Sequence, residues 1–148
     1  MLELKEHSRI FNYLKRNIME NRSNEATPQR PEGDRFLDGP LITMDLNHSI
    51  IQLQNEPSWK DSDRNSITLY KSENLRIVLL GLHQNAELKT HTAKGIVNVQ
   101  VLEGHIKFTT EQQVTVLEKG QMLTLKKQLP HSVHALKESF FLLTIIMQ

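Results

Sequence analysis

The chain has 148 residues, no cysteine and a formal net charge of +1. That length suffices for one domain with a real core, and the even mixture of charges shows neither the basic stripe of a nucleic-acid binder nor an acidic tail. Without cysteine there are no disulfides, thiolate nucleophiles or cysteine zinc sites, so any metal must be held by His, Asp, Glu or water.

The opening MLELKEHSRIF scatters charges where a signal peptide would carry an apolar core. The longest apolar run, FFLLTIIM from Phe140 to Met147, falls far short of the roughly 20 residues that span a bilayer. A soluble cytoplasmic protein without membrane contact is therefore expected. Ile10, Phe11, Leu14 and Ile18 recur at helical spacing, which predicts a short amphipathic helix over residues 9–20 with Ser8 as its cap. The stretch that follows, residues 20–35, has Ala26 as its one apolar side chain and is punctuated by Pro28, Pro31 and Gly33. It cannot bury enough surface to offset its ordering entropy, and reads as an extended or mobile arm. Residues 1–35 thus form an N-terminal helix and arm, and 36–148 a folded domain.

That domain begins with LITMDL as a short strand. Next comes a helix of about two turns, opening at Asn47 as N-cap and stopping before Pro57. Trp59 is expected to cover one end of the core. From there the pattern is β. SITLYK (66–71) and LRIVLLGLH (75–83) flank a hairpin-like gap, and IVNVQVLE (96–103) alternates strictly, with Val97, Val99 and Val101 on one face and Asn98 and Gln100 on the other. HIKFTT, VTVLEKG, QMLTLKK, HSVHAL and FFLLTIIM follow, with Gly104 and EQQ as turn signals. About eight short strands at near-regular spacing predict an all-β sandwich or closed barrel.

Two stretches, Asn85–Gly104 and Gly120–His131, resemble the two motifs of the cupin superfamily. The first motif of that superfamily carries a Gly, a His-x-His pair, a Glu and a closing Gly; here Asn85, His91, Ala93, Val97 and Gly104 stand at those positions. The second carries Gly, Pro-x-Gly, His and Asn; here Gly120 and His131 are kept, while Lys126, Gln128 and Ala135 replace the Pro, Gly and Asn. The hairpin VQVLEGHIKF and the closing PHSVHALKESFFLLT also look like those of small single-domain cupins. The resemblance covers about residues 66–147. It implies a cupin-type double-stranded β-helix, the jelly-roll barrel, here with short N-terminal helices.

The resemblance also places His91 and His131 inside the barrel, as two of four usual metal ligands. Ala93 and Val97 cannot ligate. His83, at the end of the preceding strand, is the candidate third ligand. His134, an odd number of residues past His131, should face the other way, and His105 lies beyond the Gly104 turn at the far end of the hairpin. Fe, Mn, Ni or Zn on so reduced a set would be weakly held.

Two functions follow. The first is a binding module whose barrel holds a small apolar or weakly polar ligand, with His91 and His131 as the fixed polar groups. The second is a metal-dependent enzyme of the dioxygenase or isomerase type. The missing glutamate and second histidine favour the first. Phe140, Phe141, Leu142 and Leu143 fill both faces of one strand, so an outer apolar face needs cover, and a homodimer is the expected source.

Overall fold

The computed structural model describes residues 23–24, 27–30 and 35–147. The chain forms two compact units, Met1–Ile42 and Thr43–Gln148. In the first, β1 (Ser23–Asn24) pairs antiparallel with β2 (Arg35–Phe36). Thr27 and Arg30 between them exchange backbone hydrogen bonds in a tight turn. The helix expected over residues 9–20 lies outside the described residues.

The second unit opens with two helices. The strand expected at LITMDL does not form: Leu41–Asp45 has no regular structure and Leu46 begins α1 (Leu46–Asn55). The cap is Asp45, not Asn47. Its backbone is extended and its carboxylate accepts the His48 N–H at 3.0 Å, satisfying one of the free donors of the first turn. Pro57 ends that helix and starts another, α2 (Pro57–Asp61), where its missing N–H costs nothing.

Nine strands follow: β3 (Arg64–Lys71), β4 (Leu75–Leu82), β5 (Glu87–His91), β6 (Ile96–Glu103), β7 (His105–Thr110), β8 (Val114–Glu118), β9 (Met122–Leu125), β10 (His131–Ala135) and β11 (Ser139–Ile146). They form two antiparallel sheets, of order β5-β10-β7-β8 and β3-β4-β11-β6-β9. The sheets face each other without closing into one continuous hydrogen-bonded barrel. The alternation in IVNVQVLE is realised as expected: Val97, Val99 and Val101 are buried between the sheets, with Ile106, Phe108, Val133 and Phe141. Of these nine strands, β5 is the one that the sequence pattern does not predict. Most of it is exposed, so its residues carry no alternating signal.

A second core lies on the other face of the larger sheet. Leu53 and Trp59 from the helices pack there on Ile67, Leu79 and Phe140. Gly81 stands opposite Phe140 in the ladder, and a Cβ there would come within 2.9 Å of the Phe140 ring. The bare backbone gives that ring its space. The apolar outer side of Phe140, expected to need a partner subunit, is thus covered by helices of its own chain.

Two further backbone features bear on the motif comparison. Asn85 and Gln128, which stand where cupin motifs carry glycine, have φ of 71° and 63°. The left-handed turns survive the loss of the glycines. Asn tolerates this conformation and Gln less so, at a cost of roughly 1–2 kcal/mol.

Candidate functional site

His91 ends β5 and His131 begins β10, and the two are direct partners across that ladder. Direct partners point to the same face, and their ring centroids lie 4.3 Å apart at an interplanar angle of 60°. His131 is 5% exposed and stacks on Phe108, with centroids 5.3 Å apart and an interplanar angle of 11°. His91 is exposed, at the mouth of the site.

Each ring is anchored in the same way. Nδ1 of His91 lies 2.8 Å from the Lys89 carbonyl oxygen, and Nδ1 of His131 lies 2.8 Å from that of Leu129. A carbonyl oxygen only accepts, so Nδ1 carries the proton of each neutral ring and Nε2 keeps its lone pair. Neither Nε2 has a hydrogen-bond partner among the described residues. The site therefore offers two oriented nitrogen acceptors.

Both rings line a cavity of about 320 Å³ between the sheets, at the lower end of small-molecule sites, about 300–1,000 Å³. Its walls are mainly apolar: Leu80, Leu88, Val97, Val99, Phe108, Val133, Phe141, Leu143 and Ile145. Among the described residues, Arg76 and Lys94 are its charged lining residues and no carboxylate lines it. Sequence reasoning missed Arg76, which looks like the solvated start of an apolar strand. Parity in β4 is the signal that places it, because Arg76 shares a face with Leu80 and Leu82, both packed on the inner core.

His83 does not join the pair. It is absent from the cavity lining, its Nε2 lies 2.8 Å from the Trp59 carbonyl oxygen, its ring stacks on Trp59 at 3.6 Å, and its Nδ1 is 3.7 Å from the Glu138 carboxylate. His134 and His105 are likewise outside the lining, as their positions predicted.

The cupin resemblance implies a divalent metal, and the donor set can be tested against one. Ala93 and Val97 occupy the other two motif positions, while Arg76 and Lys94 bring positive charge to the same cavity. Among the described residues no group of three or more His, Asp or Glu side chains could hold an ion. Three protein ligands are the usual minimum for a catalytic metal, so these residues do not fit a tightly held resident ion.

Burial pushes the His131 imidazole below its ordinary pKa; its bond to the Leu129 carbonyl opposes this, and His91 adds a smaller lowering effect. The folded state then favours the neutral ring, and the unfolded chain binds more protons between the lowered value and the ordinary one of about 6.5. Stability from this group is complete above about pH 6.5 and is lost as pH falls through the folded pKa. Unfolding free energies measured between pH 7.5 and 5 should fall more in wild type than in His131→Gln. Superimposable profiles would count against a neutral, buried His131.

No family model matches the chain, and no curated protein does. Solved structures do match. A conserved protein of unknown function from Streptococcus pyogenes aligns at 21% identity and a TM-score of 0.61, over 76% of this chain and 92% of that one. An RmlC-like cupin from Desulfovibrio desulfuricans aligns at 29% identity and a TM-score of 0.53, over 58% and 84%. A salicylate 1,2-dioxygenase from Pseudoaminobacter salicylatoxidans, in adducts with gentisate, aligns at 18% identity and a TM-score of 0.63, over 74% of this chain and 35% of that one. Two facing antiparallel sheets with a histidine pair at the cavity between them define a mostly β protein. Its fold is the cupin type.

Proposed function

We propose that the protein is a binding module built on a jelly-roll cupin barrel, which holds a small, largely apolar molecule between its sheets. The observation that carries this reading is the cavity itself: apolar walls and two imidazoles, each fixed through Nδ1 with Nε2 open. A few convergent polar atoms in an apolar space are the usual anatomy of a ligand site. A divalent ion that enters is held by the two imidazoles alone, and is lost on purification.

The test combines elemental analysis at pH 7.5 with titration of octanamide, a neutral apolar probe whose amide can donate to Nε2. Wild type should carry well under one equivalent of metal. The probe should shift the methyl resonances of Val99 and Leu143, and bind more weakly to His91→Ala. Near-stoichiometric metal that disappears in His91→Ala would instead favour a metal-dependent enzyme of the dioxygenase or isomerase type.

The homodimer remains part of the proposal on a narrower basis. With Phe140 covered internally, what is left for a partner is the outer face of β11, β6 and β9, where Ile146 and Met122 are 44% and 56% exposed. Sedimentation at micromolar concentration should show a dimer, and a monomer there would refute it.

A further inference from the structure

On the inner face of the larger sheet, Arg76 is the charged residue that lines the cavity. Arg76 pairs across the ladder with Ile145, Ile145 with Val97, and Val97 with Leu125. Lys71 of the edge strand β3 pairs with Arg76 on its other side and extends the same transverse row, while Ile145, Val97 and Leu125 belong to the core between the sheets. The guanidinium therefore enters the same space as the two imidazoles, and it lines the same cavity. Its Nε–H is buried and has no hydrogen-bond partner. Among the described residues no carboxylate forms an ion pair with it.

A buried donor left unsatisfied is costly, and more so on a charged group. Natural folds rarely keep such a group without a use for it. An anion in the adjoining cavity that pairs with the guanidinium would offset that cost. An arginine fork matches a carboxylate in shape as well as charge. Lys94 adds a second cation to the lining, and among the described residues no acidic side chain lines the cavity to oppose either. At the position where cupin motifs carry a metal-binding glutamate stands Val97, on the same row as Arg76. The electrostatics of the cavity thus suit an anion better than a cation.

We propose that the ligand is an organic carboxylate with an apolar body, its carboxylate held by Arg76 and its body against the valine and leucine walls. This deepens the binding reading given above and rests on it.

The experiment titrates a matched pair, octanoate and octanamide, into wild type, Arg76→Gln and Arg76→Lys, following the Val99 and Leu143 methyl resonances. The two probes share an apolar chain and differ in charge. Wild type should bind octanoate at least ten-fold more tightly than octanamide. That preference should vanish in Arg76→Gln and largely persist in Arg76→Lys. In wild type alone, octanoate should move the Arg76 Nε–H resonance and octanamide should leave it in place, which keeps the test open if a variant fails to fold. Equal affinities in wild type, an unmoved Arg76 resonance, or a preference intact in Arg76→Gln would overturn the assignment while leaving the binding module standing. Failure of both probes to bind would overturn the binding module and the carboxylate together.

Discussion

Replacing Phe140 with Ala should lower the stability of the protein by about 3–5 kcal/mol, the range for truncating a buried aromatic ring. Phe140 is 4% exposed and sits where the helices meet the larger sheet. Its ring lies 5.3 Å from that of Trp59, and it fills the room left by Gly81 on the neighbouring strand. Removing it leaves Leu53, Trp59 and Leu79 around a void that the strands cannot close, because Phe141 on the opposite face is held in the inner core. The loss should be uneven. Amide exchange should quicken most in α1 and α2, which contact the sheet through this cluster, and least in β6 and β11. Set against a typical total of 5–15 kcal/mol, this is a large fraction. A loss below 1 kcal/mol, or exchange that quickens equally throughout, would mean that the helices are not held by this ring.

The same residue shows what the sequence could and could not convey. FFLLTIIM makes both faces of β11 visibly apolar, and a strand so built must be covered twice. What covers the outer face is a tertiary fact. The covering residues, Leu53 and Trp59, lie far upstream in a segment whose pattern predicts a helix and a stray aromatic without saying where they dock. The alternation in IVNVQVLE was legible because one face is buried and the other is not. The exposed ELKTH of β5 was not, because its order comes from pairing with β10 rather than from burial. LITMDL failed as a strand because the Asp45 carboxylate caps a helix there, a local preference that outweighed the short apolar run.

At the site, the motif positions indicated that His91 and His131 should meet, and their rings lie 4.3 Å apart. They could not indicate the sign of the charge around the pair. That depends on Arg76, which parity within β4 assigns to the inner face but which the register from Arg76 through Ile145 to Val97 sets beside the pair. Nor could spacing exclude His83. Its ring is turned away by Trp59, whose carbonyl and indole hold it. Long-range register and side-chain competition of this kind leave no periodic trace in the chain.

Gly104→Ala should cost about 2–5 kcal/mol, and the cost separates into two parts. The first is conformational. Gly104 has φ of +91°, and a side chain in that region adds roughly 1–2 kcal/mol. The second is a collision. A Cβ at Gly104 would run into the Ser139 hydroxyl and the Glu138 carbonyl oxygen, with Ser139 Cα only 2.7 Å away. Ser139 is fully buried. Its hydroxyl accepts the His105 N–H at 3.0 Å and can donate to the Lys137 carbonyl at 2.7 Å or the His105 carbonyl at 3.1 Å. It thereby ties the β6–β7 turn to the start of β11. Pushing it aside strands buried polar groups, at about 1–3 kcal/mol. Gly120 supplies the control. Its φ is +83°, yet nothing lies within 4 Å of where its Cβ would stand. Gly120→Ala should therefore carry only the conformational part, about 1–2 kcal/mol, and the difference between the two variants in urea unfolding measures the collision. Equal losses would show that the turn at Gly104 can open away from Ser139, and that the clasp between the two turns contributes nothing to stability.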